Sequence, residues 1–78
     1  MNKQHAGTRF WTTFVEDRKG GSAGLRLHRE SSGRTTVAAE VIFWDAAGQF
    51  YVQTFNGEVP LAIMEALIAE TKETIKIE

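Results

Sequence analysis

The stretch VIFWDAAGQFYVQT (41–54) decides how this 78-residue chain is read. Two runs rich in β-branched and aromatic residues flank Asp45-Ala46-Ala47-Gly48, which predicts a hairpin. Side chains alternate between the two faces of a strand. Here both faces are apolar: Val41 and Phe43 alternate with Ile42 and Trp44, and Phe50 and Val52 with Tyr51. A four-residue loop pairs Trp44 with Gln49 and places Val41, Phe43, Phe50 and Val52 on one face. A three-residue loop would turn the second strand over. The four-residue loop is preferred because it completes one contiguous apolar face. The other face, with Ile42, Trp44, Tyr51 and Phe55, then needs a cover of its own.

Working outward, TRFWTTFV (8–15) and LRLHRE (25–30) read as strands, and RTTVAAEVIFW (34–44) as the strand that enters the hairpin. EDRKGGSAG (16–24) reads as a mobile loop and Ser31-Ser32-Gly33 as a turn. A three-residue loop with Gly33 as the bulge residue pairs Glu30 with Arg34, Leu27 with Val37 and Leu25 with Ala39. Phe10 and Phe14 are expected on the same face as these leucines. Residues 1–7 are polar and read as a flexible tail. Pro60 suits the first turn of a helix, and 60–74 has helical composition. Leu61, Met64, Leu67, Ile68, Thr71 and Ile75 make an apolar stripe along it. Glu65 and Glu70 are expected on its solvated side. The closing TIKIE (74–78) alternates and is left open between fraying and extension. The fold class is therefore α+β: one domain over 1–78, a four-stranded antiparallel meander within 8–55, and a C-terminal helix packed on one face.

In this register the second face carries Trp11, Thr13, Val15, Arg26, His28, Glu30, Thr36, Ala38, Glu40, Ile42, Trp44, Tyr51, Gln53 and Phe55. One helix cannot cover both sides of a sheet, and exposed apolar patches above a few hundred Å² mark interaction sites. The interface residues singled out are Trp11, Arg26, His28, Ile42, Trp44, Tyr51 and Phe55. The leading expectation is a non-enzymatic module that binds a second copy of itself, or another protein, through this face. The alternative is single-stranded DNA or RNA, with Trp11, Trp44 and Tyr51 stacking on bases and Arg26, His28 and Arg29 near phosphates. The strand-strand-strand-strand-helix order is similar, in topology alone, to that of single-strand-binding coactivator domains, whose basic motif finds no counterpart here. A third possibility is that residues 1–8 or the 16–24 loop cover the patch.

Composition narrows the classes. There is no cysteine, so disulfides are excluded and a reducing, cytoplasmic setting is expected. His5 and His28 are too few for a structural zinc site, and no metal or cofactor is expected. No apolar run approaches the roughly 18 residues of a membrane span, and MNKQHAG (1–7) lacks the apolar centre of a signal peptide. Net charge is −1, but residues 1–34 carry +4 and residues 35–78 carry −5. A chain this short buries only about 60% of its unfolded surface, which favours association. Catalytic chemistry is sparse. His28 and Glu30 share a face and could form an acid–base couple, although a solvated strand face is the favoured account of them. Glu40 calls for an arginine from a neighbouring strand or a partner. KGGSAG (19–24) precedes a strand, not the helix that phosphate-binding glycine loops require.

Overall fold

The computed structural model describes residues 1–76. Residues 77 and 78, which complete the alternating TIKIE, lie outside the described residues. Among the described residues five antiparallel strands and one helix build an α+β fold. The strands are β1 (Asn2–His5), β2 (Thr8–Asp17), β3 (Ser22–Ser31), β4 (Arg34–Trp44) and β5 (Gln49–Thr54), followed by α1 (Leu61–Thr74). They lie side by side in chain order. No helix among them is long and apolar enough to cross a membrane.

The extra strand replaces the expected tail. Asn2–His5 pair with Thr8–Trp11 through a two-residue turn, Ala6-Gly7, with φ of 51° and 81°. Both positive values match the primed turns whose twist suits a hairpin. Alanine is an unusual residue there, and β1 has no apolar side chain, so neither usual strand signal is present. The 16–24 loop is also shorter than expected. Asp17 already pairs with Ser22, leaving a four-residue turn over 18–21. The Gly21 carbonyl accepts from the Asp45 amide at 2.8 Å, tying this turn to the β4–β5 turn.

The β3–β4 register differs by one residue at its start. Ser32 and Gly33 both have positive φ, 53° and 77°, and form a two-residue turn that pairs Ser31 with Arg34. Glu30 therefore opposes Thr35, not Arg34, and His28 opposes Val37. A β-bulge then intervenes: Leu27 opposes Ala39, so Ala38 is the additional residue. Beyond it Leu25 opposes Val41. The bulge leaves Val41, Ala39, Leu25 and Leu27 on the helix side, as expected, and moves Val37 to the opposite face. The β4–β5 hairpin has the expected form, with Trp44 opposite Gln49 and Gly48 at φ 65°.

The core consists of Phe10, Leu25, Leu27, Ala38, Ala39, Val41, Ile63 and Leu67. Helix α1 starts after Pro60, whose carbonyl accepts from the Ile63 and Met64 amides at 3.0 Å each. Its buried side is Ile63, Leu67 and Thr71, with Met64 and Ile68 on the flank. The helix is thus rotated from the expected stripe, and Leu61 is 74% exposed. Buried Thr71 satisfies its hydroxyl by donating to the Leu67 carbonyl at 2.7 Å. Glu70 is not on the solvated side. Its carboxylate accepts from the Met1 ammonium at 2.6 Å and from the Thr12 hydroxyl at 3.0 Å, clamping α1 to β2. A helix about 10 Å wide spans about two strands at 4.8 Å spacing, and α1 packs over β3 and β4. The cross-strand row Phe14–Leu25–Val41–Val52 shows the result. Its centre is buried, while Phe14 and Val52 at its ends are 52% and 51% exposed. Phe10 meets the core expectation; Phe14 does not.

Candidate interaction face

The face opposite α1 is built by alternation along β2, β3, β4 and β5. All seven residues singled out from the sequence lie on it: Trp11, Arg26, His28, Ile42, Trp44, Tyr51 and Phe55. Cross-strand pairs Trp11–His28 and Ile42–Tyr51 bring four of them into direct opposition. Val15 and Gly24 are opposite each other, and Gly24 is opposite Ile42. Tyr51 and Trp44 remain 52% and 39% exposed. Strand β1 lies beside β2 and does not fold over the face, and the 18–21 turn sits at its end. Neither segment covers the patch.

At the β2 end the side chains form a stack. The Arg9 guanidinium lies 4.9 Å from the Trp11 ring centre, and Trp11 stacks on His28 at 5.4 Å with an interplanar angle of 16°. His28 Nε2 shares a 2.8 Å hydrogen bond with the Thr13 hydroxyl, its direction set by the tautomer. The His28 pKa is lowered from 6.5, first by partial burial and then by the Arg26 charge. The imidazole is therefore held neutral near pH 7. It engages Thr13, not Glu30, so the acid–base couple weighed from the sequence is not assembled. At the centre Arg26 forms a cross-strand ion pair with Glu40, the arginine partner that Glu40 called for. The pair divides two shallow hollows. One is lined by Val15, Asp17, Ile42 and Trp44, the other by Val37, Phe55 and Asn56.

Arg29 lies on the opposite side. It pairs with Phe10 in the sheet and donates to the carbonyls of Glu58 at 2.6 Å, Asn56 at 3.1 Å and Phe55 at 3.3 Å. It holds the β5–α1 connection in place and is not available to a ligand on the aromatic face. The 17–22 turn likewise uses its own groups: the Gly20 amide donates to Asp17 Oδ1 at 3.0 Å. Three participants escaped the sequence reading. Arg9 could have been found, since it stands two positions before Trp11 and so shares its face. Gly24, an interior glycine beside a strand pattern, was a signal of close backbone approach. Val37 had no local signal, because the bulge that moves it depends on the β3–β4 register. Compared with protein-family models, curated proteins and solved structures, the chain matches none.

Proposed function

We propose that this protein is a non-enzymatic interaction module that associates with a second copy of itself through the open sheet face. The observation that carries this reading is the grouping of Trp11, Val15, Val37, Ile42, Trp44, Tyr51 and Phe55 on a face that no described segment covers. The two longer dimensions of the molecule, 39 and 21 Å, bound a face of about 800 Å² in plan. That is about the area each partner contributes to a standard protein interface. The charges also favour a like partner. Arg26 and Glu40 stand side by side at the centre of the face, so a two-fold axis there can place each opposite its counterpart of the other sign. Support for single-stranded nucleic acid is weaker. Arg26 is neutralised by Glu40, His28 is held neutral, and Arg29 faces the other way.

The test is the molar mass in solution by size-exclusion chromatography with light scattering. The wild type should associate, and Ile42→Lys with Trp44→Lys should abolish that contact while leaving the far-ultraviolet spectrum unchanged. A double variant that unfolds would place both residues in the core and overturn the reading. So would tight binding of a single-stranded oligonucleotide that quenches tryptophan fluorescence and weakens steeply with salt.

A further inference from the structure

The two edges of the sheet are protected unequally. Strand β1 is four residues long and carries Lys3 and His5, which are common means of blunting an edge. Strand β5 is six residues, Gln49–Thr54, with no charge and no proline, and its pairing with β4 runs without a bulge. Its unpaired backbone groups can be assigned. The Phe55 amide donates to the Ala38 carbonyl at 2.9 Å, toward β4. Backbone groups alternate in direction along an antiparallel strand. Those of Tyr51 and Gln53 therefore also face β4, and those of Phe50, Val52 and Thr54 face outward.

The ground beside this edge is apolar on the helix side. Helix α1 stops short of β5, leaving Val52 half exposed. Glu70 anchors the opposite flank of α1 to Thr12 and Met1. On the other flank Met64 and Ile68, like Phe50 of β5, pack partly buried against the core, and Phe43 and Phe50 pack together at 5.1 Å.

We propose that β5 pairs antiparallel with β5 of a second copy about a two-fold axis at Val52, giving one continuous ten-stranded sheet with both helices on the same side. The occupant follows from self-complementarity. In this register Val52 meets Val52 of the partner subunit, Phe50 meets Thr54 of the partner subunit, and Tyr51 meets Gln53 of the partner subunit. No charge is brought against its like, and the outward groups of three residues on each strand form about six new backbone hydrogen bonds. Aromatic and β-branched cross-strand neighbours are favourable pairs. The contact uses a different surface from the open sheet face and does not depend on it. Where both form, edge-paired dimers stack face to face.

Val52→Pro is the direct test. Its amide points away from β4, so proline removes an outward donor and blocks strand addition without breaking the β4 ladder. Thr54→Lys is the second variant, placing a charge on the edge. In light scattering each should halve the molar mass of the wild type, with the circular dichroism spectrum retained. In hydrogen exchange the amides of Phe50, Val52 and Thr54 should gain protection as wild-type concentration rises. If both variants fold and keep the wild-type mass while Ile42→Lys with Trp44→Lys halves it, the edge contact is wrong and the face contact stands. If Val52→Pro halves the mass and the face variant does not change it, the edge contact stands and the face contact falls. A wild type that stays monomeric at about 1 mM, a concentration at which only very weak contacts fail to form, overturns the pairing and leaves the edge to another extended chain.

Discussion

Gly24 is the residue whose replacement tests the sheet most sharply. It is buried in β3 between Val15 and Ile42. A Cβ added there would fall inside the van der Waals envelope of the Val41 carbonyl oxygen, and would lie 2.8 Å from Ile42 Cα and 2.9 Å from the Val41 carbonyl carbon. All three are backbone atoms of the adjacent central strand, so no side chain can rotate away. Relief requires β3 and β4 to separate by about 1.5 Å over at least one hydrogen-bonded pair, since ordinary contacts lie near 3.5 Å. Overpacking of a core costs about 1–3 kcal/mol, and a disturbed ladder bond adds about 1 kcal/mol. Gly24→Ala should therefore destabilise the fold by about 3 kcal/mol, or roughly 12–24 °C in Tm for a domain of this size. Urea unfolding followed by tryptophan fluorescence measures it. Gly7→Ala is the control. Gly7 has φ 81° with nothing within 4 Å of its added Cβ, so only backbone strain of about 1 kcal/mol is expected. If Gly24→Ala proves as mild as Gly7→Ala, the close approach of β3 and β4 is wrong.

Three further outcomes follow from the side-chain contacts. Arg29→Ala removes donors to the carbonyls of Phe55, Asn56 and Glu58 and should cost about 2–3 kcal/mol, with Arg29→Lys recovering part; a neutral result in urea unfolding would detach Arg29 from the β5–α1 connection. Glu70→Gln, which would be silent on a solvated helix side, should cost about 1 kcal/mol through its contacts with the Met1 ammonium and Thr12. Raising salt to about 1 M should shrink that difference, and equal stability at low salt would refute the clamp. His28 has a folded-state pKa below 6.5, so the unfolded chain takes up this proton first. Its contribution is intact above about pH 6.5, declines as pH falls below that value, and levels off once folded His28 is protonated. His28→Gln should flatten this part of the stability–pH curve, and an unchanged or steeper decline would show that His28 is not held neutral.

What could be read from the sequence alone was governed by local rules. Gly48 at the end of Asp45-Ala46-Ala47-Gly48 and strict alternation were enough to place Val41 under the helix and Ile42, Trp44 and Tyr51 on the other side. Pro60 and the composition after it located α1. The seven face residues were legible for the same reason, since alternation between two faces is a property of each strand by itself. Tertiary structure decided the rest. Strand β1 has no apolar pattern and exists because the edge of β2 offers it hydrogen-bond partners. The Ala38 bulge reconciles two demands from different places: the two-residue turn at Ser32-Gly33 sets one register, and the core under α1 requires another. The rotation of α1, and with it the roles of Ile63 and Glu70, depends on which sheet side chains the helix meets. Arg29 looked like its exposed neighbours in sequence, yet the β5–α1 connection passes over it with three carbonyls in need of donors. In each case the deciding energy comes from groups far apart in the chain, and a short window of sequence contains only one side of that interaction.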